Sequence, residues 1–360
     1  MSSGKVVNSY MLIYADTNTC KWNLKNISVD PAKIYDDLGA FLAIDSDKKS
    51  AMFHIPYPLD NPSILHDKLN RVIKAGHHAA VLMSEIHNDT VSFFRTHQHP
   101  NIKYFICGTV EHCPSSQWMD WLYRTTDFYK KNPQVLDKLT PYQTKEKIFD
   151  ILLGRNKPHR TAVYDFIINN NLNNNVIMTY LKGNDTLTLQ EQNRDGWIWE
   201  DTGLVLPDQE FTWTVTPVKY QGRSMSLSQV MPLTVYNQTA YSIVAETNSE
   251  NGYSFFTEKI VKPILAERLF LVFSGQHYLK NLRSLGFKTF NGIIDEHYDS
   301  VADSTTRFGL IFEQMQYLFS QPQEQILEQI RPITEHNKKV MLETDWYGDF
   351  SKELKQFLFT

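Results

Sequence analysis

The chain has little of several things that would have fixed its class at once. Its 360 residues include only three cysteines, Cys20, Cys107 and Cys113. An odd number without C-x-x-C spacing excludes a disulfide framework and a cysteine-rich zinc site. It agrees with a reducing compartment. No apolar run approaches the roughly 18 residues that span a bilayer. No leader is visible, because Met1-Ser2-Ser3-Gly4-Lys5 passes straight into a strand-like run. A soluble, cytoplasmic protein without a membrane partner is therefore expected, in the host cytoplasm if the source is viral. Excess charge of one sign is missing too: the formal net charge is −4, which gives no overall drive toward nucleic acid. No internal repeat of solenoid length is evident. What is present in quantity is apolar surface. A hydrophobic fraction of 42% and an aromatic fraction of 13% suffice for sizeable cores and exclude disorder for most of the chain.

The length fits two domains. Apolar runs of strand length (Ala40–Ile44, Ala51–Ile55, Ala79–Met83, Tyr104–Cys107) alternate with helical spacing at Pro62–Lys74 and Gln117–Tyr129. Such alternation predicts a parallel sheet with helices on both faces. Pro133 and Pro141 bracket a polar segment, so a first domain over 1–140 and a second over 141–340 are expected. The alternation restarts with a strand at Ile148–Leu153, a helix to about Asn170, a stop in the asparagine tract 169–175, and a strand at Val176–Tyr180. Between about 182 and 235 an alternating polar-apolar pattern with Trp197, Trp199 and Trp213 predicts an antiparallel β insertion. The parallel pattern resumes with a strand at Tyr241–Glu246, a helix from Thr257, a strand at Leu269–Phe273 and a helix over His277–Leu285. A helical tail follows, expected to break at Pro322 and Pro332.

The run Glu246-Thr247-Asn248-Ser249-Glu250-Asn251-Gly252-Tyr253-Ser254-Phe255-Phe256-Thr257-Glu258-Lys259-Ile260 carries the most chemistry. A strand ends in a carboxylate, a polar loop with a glycine follows, and a helix opens on Thr-Glu-Lys. Thr257 suits an N-cap, leaving first-turn N–H groups to face an anion. Lys259 adds a full positive charge for a phosphate. Glu246 and Glu258 can accept hydrogen bonds from ribose or sugar hydroxyls. The combination suits an anionic nucleotide-sugar; the plainer account is a capped amphipathic helix after a buried strand.

The pattern E-x-N-S-x-x-G-Y-x-F-x-T-E-K-I resembles the donor-site signature of the family 10 α-1,3-fucosyltransferases, close to E-N-S-x-x-x-G-Y-V-T-E-K-I. Thr247 separates the glutamate from Asn248-Ser249, and Ser254-Phe255 lengthens the interval to Thr-Glu-Lys. The resemblance implies an α/β protein of the GT-B fold: two Rossmann-like domains with a cleft between them, here with the β insertion in the second. It implies an inverting, nucleotide-sugar-dependent transferase of the soluble bacterial or viral type, with the donor as co-substrate, no further cofactor and no obligatory metal. It assigns Lys259 and an arginine, Arg160 or Arg155, to the diphosphate, Glu258 to the ribose and Tyr253 to the base or sugar. It also implies that 341–360 forms a helix crossing back to the first domain.

A general base is expected at a strand end of the first domain. Glu85, after Ala79–Met83, is the leading candidate, beside His54, His87, Glu111 and His112. Asp45-Ser46-Asp47 has the D-x-D form that binds a metal and diphosphate in other glycosyltransferases, but reads better as a hairpin turn. The acidic run Asp295-Glu296-His297-Tyr298-Asp299 reads better as a loop or helix cap than as a metal site. The acceptor is a glycan by the resemblance, or a hydroxymethylated base in phage DNA. Lys68, Arg71 and Lys74 on one helix face suit the latter, although a solvated face explains them as well. The alternative is a non-catalytic viral protein that binds carbohydrate or nucleotide on the same fold.

Overall fold

Apolar runs without alternation suit strands buried on both faces, the situation of a parallel sheet covered by helices. That is what the computed structural model contains. It describes residues 41–45, 50–55, most of 66–83, 92, 96–111, 116–181, 186–187, 204–205, 211–212, 217–220 and 222–359. The chain divides into two units, Met1–Asp120 with Asp345–Thr360, and Trp121–Thr344.

The first unit holds a five-stranded sheet in chain order: β1 (Phe41–Asp45), β2 (Ser50–Ile55), β3 (His78–Met83), β4 (Ile102–Ile106) and β5 (Ser116–Gln117). β1 and β2 are antiparallel, with Asp45 opposite Ser50. β2, β3, β4 and β5 run parallel. Five of the six β3 residues are buried, as the unbroken Ala-Ala-Val-Leu-Met run requires. The helix α8 (Gly348–Phe359), from the far end of the chain, belongs to this unit. Its Phe350 stacks on Trp118 at 5.4 Å and meets Phe105 edge-on at 5.4 Å. Glu353 accepts from Lys103 and Ser116, both at 2.6 Å.

In the second unit, α1 (Asp120–Lys131) leads to a four-stranded sheet. Its strands are β6 (Lys147–Arg155), β7 (Val176–Leu181), β10 (Thr239–Ala245) and β11 (Phe270–Phe273). The order across the sheet is β11-β10-β6-β7, and every pairing is parallel. The chain thus moves from β6 to β7 on one side, then returns to lay β10 on the other side of β6. The gap between the carboxyl ends of β6 and β10 is a topological switch point, where open α/β sheets bind ligands. The helix α2 (Pro158–Asn169) links β6 to β7. It ends in the asparagine tract, where Asn171 adopts a left-handed φ of 55°, a conformation asparagine tolerates better than most residues. The strands described between β7 and β10 are antiparallel: Thr186–Leu187 with Phe211–Thr212, and Leu204–Val205 with β8 (Pro217–Tyr220) and β9 (Arg223–Ser226). Trp197, Trp199 and Trp213 lie outside the described residues. A short helix, α3 (Leu233–Gln238), precedes β10.

All seven residues of β10 are buried. Its start is pinned by a buried ion pair, Arg268 to Asp150 at 3.0 Å. Arg268 also donates to Thr239 Oγ1 at 2.7 Å, Ser242 Oγ at 2.9 Å and the carbonyls of Tyr236 and Tyr241. A buried charge this fully bonded holds a fixed geometry, since loss of either partner strands the other. The remaining helices are α4 (Glu258–Leu265), α5 (Tyr278–Ser284), α6 (Ser304–Ser320) and α7 (Gln323–Glu343). The tail breaks at Pro322 as expected, but α7 runs through Pro332. Its Ile326, Leu327, Ile330 and Met341 are buried on either side of the proline. That packing outweighs the ~3 kcal/mol that an interior proline costs a helix.

Candidate functional site

The signature run sits at the carboxyl end of β10. Glu246 follows the last β10 residue and is fully buried. Its Oε2 accepts from Thr257 Oγ1 at 2.7 Å and Thr247 N at 3.2 Å. Its Oε1 accepts from Tyr278 Oη at 2.8 Å and Thr257 N at 3.3 Å. Burial pushes this carboxyl above its ordinary range, and Lys259 with the Thr257 and Tyr278 hydroxyls pulls it back. Both carboxylate oxygens are therefore engaged inside the fold. Glu246 closes the loop 247–256 by tying its two ends together.

Thr257 caps α4, as its position in the run predicts. Its Oγ1 accepts from Lys259 N at 3.3 Å while donating to Glu246. The Lys259 ammonium lies 2.7 Å from Glu258 Oε1 and 3.4 Å from both Thr247 Oγ1 and Thr257 Oγ1. The Lys259 side chain is 19% exposed, against 5% for Glu258. Burial alone would raise the Glu258 carboxyl, but Lys259 and Lys262 hold it below its ordinary value. Lys262 donates to the Ser228 carbonyl at 2.7 Å. Burial brings its ammonium down to about 8, against the pull of Glu258.

The start of α2 brings three more basic residues to the same corner. Lys157 donates to the Thr247 carbonyl at 2.7 Å, His159 Nε2 to the Glu246 carbonyl at 2.8 Å, and Arg160 to the carbonyls of Ala245 and Glu246 at 3.3 and 3.2 Å. The His159 ring is buried and its other nitrogen, Nδ1, has no hydrogen-bond partner. Burial, reinforced by Arg160, lowers its pKa to about 3, so the ring is neutral. A carbonyl only accepts, which fixes the proton on Nε2 and leaves a lone pair on Nδ1. Lys157, Arg160 and Lys259 thus gather around Glu246 and Thr247 at the switch point, where an anion would meet three cations and the first turn of α4.

No protein-family model, curated protein or solved structure matches this chain.

A cavity of about 550 Å³ opens at the same end of the sheet, lined by Pro158, His159, Ser249, Glu250, Thr305 and Phe308 among others. Its floor is held by Arg307, which donates to the carbonyls of Ser249, Ser274, Val301 and Ala302. The loop presses so closely on the turn after β11 that a Cβ at Gly275 would lie 2.0 Å from the Glu250 carbonyl oxygen.

Asn248 is buried and its carbonyl accepts from Ser274 at 3.0 Å. Tyr253 is buried, with its hydroxyl 3.5 Å from Glu250. Arg155 is the last residue of β6, and its side chain lies outside the described residues. So do Glu85, His87, His112 and Asp47. The acidic run is structural. Asp299 accepts from Leu279 N at 2.7 Å and Lys280 N at 2.9 Å at the start of α5. Glu296 accepts from Thr289 and the Phe290 N–H, both at 2.6 Å. Among the described residues no group of three or more acidic, histidine or cysteine ligands is arranged to hold a metal. Lys157 and His159 were not singled out from sequence. The signal was the density of basic residues around Pro158 in Arg155-Asn156-Lys157-Pro158-His159-Arg160.

Proposed function

We propose that this protein is an inverting glycosyltransferase that moves a sugar from a nucleoside diphosphate donor to an acceptor hydroxyl. The observation that carries the reading is the convergence of Lys157, Arg160 and Lys259 on Glu246-Thr247, beside the Thr257-capped start of α4. In such a transfer the acceptor oxygen bonds to the anomeric carbon while the bond from that carbon to the diphosphate breaks. The departing diphosphate gains negative charge, and fixed cations with oriented N–H groups stabilise it as it forms. The acceptor proton passes to a general base, for which Glu85 of the first unit is the candidate. The reading includes the GT-B arrangement of two Rossmann-like halves, with a glycan or a hydroxymethylated DNA base as acceptor.

The test is release of nucleoside diphosphate from a panel of nucleotide-sugars, with and without acceptors. Lys259→Ala is expected to lower release by roughly 10²–10³-fold, the scale of losing one preorganised charge-stabilising group. EDTA is expected to leave release intact. Binding of donors without release across the whole panel would instead identify a nucleotide-binding module.

A further inference from the structure

The Lys259 ammonium already has a counterion, Glu258 Oε1 at 2.7 Å. A cation whose charge is cancelled beside it does little for a second anion. To act on a diphosphate, Lys259 must leave Glu258. The Glu258 side chain is 5% exposed, and a carboxylate that deep cannot be left without a partner. We propose that Lys262 is a positioning residue of the donor site, a second cation that holds the Glu258 charge so that Lys259 can turn to the phosphates. The inference rests on the transferase reading and adds to it the group that releases its lysine.

Lys262 follows Glu258 by four residues on α4, so the two share one face of the helix. It is buried, and its Nζ donates to the Ser228 carbonyl at 2.7 Å. That bond occupies one of its three N–H donors and neutralises no charge. The turn 227–229 that supplies the carbonyl is itself fixed. Tyr129 of α1 donates to the Gln229 carbonyl at 3.1 Å and accepts from Met231 N at 2.8 Å. Lys262 is thus tethered on the side of Glu258's helix face while Lys259 keeps its own partner. Both lysines hold the Glu258 carboxyl below its ordinary value. Two ammonium groups and one carboxylate leave one positive charge for a ligand. Without Lys262, Glu258 and Lys259 form a neutral pair.

The charge of Lys262 depends on pH. Burial brings its pKa down to about 8, with Glu258 and Asp150 pulling it up and Lys259 pushing it down. The elements packed on α4 are the turn 227–229, β10 and α7. The turn, Leu227-Ser228-Gln229, has no ionisable side chain. Nor does the buried face of α7, formed by Ile326, Leu327, Ile330, Thr334, Asn337 and Met341. On β10 burial pushes the Tyr241 hydroxyl up. Asp150 of β6 is committed to Arg268 at 3.0 Å. Below pH 8 Lys262 is charged and balances Glu258. Above pH 8 its neutral amine leaves Glu258 to hold Lys259 back.

Calorimetry with inorganic pyrophosphate on the full chain tests this without a sugar or a base. Lys262→Met should bind about tenfold more weakly than the wild type at pH 7, the scale of one charge acting across roughly 10 Å. Pyrophosphate titrates on its own between pH 7 and 9, but equally for every variant. Relative to Lys262→Met, the wild type should lose roughly fivefold in affinity across that interval as Lys262 gives up its proton. Lys262→Arg, charged throughout, should bind as the wild type does at pH 7 and keep the same advantage over Lys262→Met at pH 9. Adding Glu258→Gln to Lys262→Met should recover most of the lost affinity, because it releases Lys259 by the other route. Parallel pH profiles in wild type and Lys262→Met, or no recovery in the double variant, overturn the positioning role. If Lys259→Ala still weakens pyrophosphate in that case, the transferase reading stands without it. Absence of pyrophosphate binding by the wild type at both pH values overturns both.

Discussion

At the scale of single residues, the site is organised by a carboxylate that faces inward. Glu246 uses both oxygens to join the two ends of its loop, and its backbone carbonyl takes His159 and Arg160 from another helix. His159 gives this arrangement a measurable pH signature. Its pKa is near 6.5 when unfolded and about 3 in the fold. The unfolded chain therefore takes up a proton that the folded chain refuses. The stability contributed by the neutral ring is complete above pH 6.5 and is lost as pH falls toward 3. Between pH 7 and 5 the loss from this group should be about 2 kcal/mol. Urea unfolding of the wild type and of His159→Gln, compared across that interval, reads the difference. Parallel pH dependence in the two proteins would mean that His159 titrates as in solvent.

At the scale of elements, one close approach beside the site is made by backbone rather than side chains. Gly275 lets the turn after β11 lie against the 249–251 loop. Gly275→Ala should destabilise the chain by about 2 kcal/mol or more, because the atom opposite is the Glu250 backbone carbonyl oxygen, which cannot rotate away. Gly309, inside α6 with open space around it, should respond with the opposite sign. Gly309→Ala should stabilise by about 0.5–1 kcal/mol through helix propensity. Thermal unfolding of the two variants, run side by side, checks both signs. Much at this scale was legible in the sequence. β10, its terminal carboxylate and the Thr257 cap are consecutive, and local chemistry defines them. The approach of Lys157 and His159 to the Glu246 corner was not legible. It joins residues some 90 positions apart and depends on β6 and β10 being neighbours, which periodicity does not reveal. Pro332 misled for a related reason: propensity is local, whereas the burial that carries α7 through it is tertiary.

At the scale of the whole molecule, the first unit draws its last helix from beyond the second. Phe350 is 3% exposed between Trp118 and Phe105. Phe350→Ala should cost about 3–5 kcal/mol. Hydrogen exchange should show the loss as reduced protection in β3 and β4, with β6 and β10 retaining theirs. Equal loss in both sheets would mean that the units unfold as one.

The return of α8 also sets an order of events. Ribosomes deliver a chain at roughly 5–20 residues per second, and the domain nearest the amino terminus ordinarily folds first. Here the strands of the first unit emerge early, yet the helix that packs against them emerges only after residues 121–344. The later-encoded unit, being continuous, has all its parts before the earlier one does. During synthesis the first sheet must wait, with the surface that α8 will cover still open, while its neighbour is already complete.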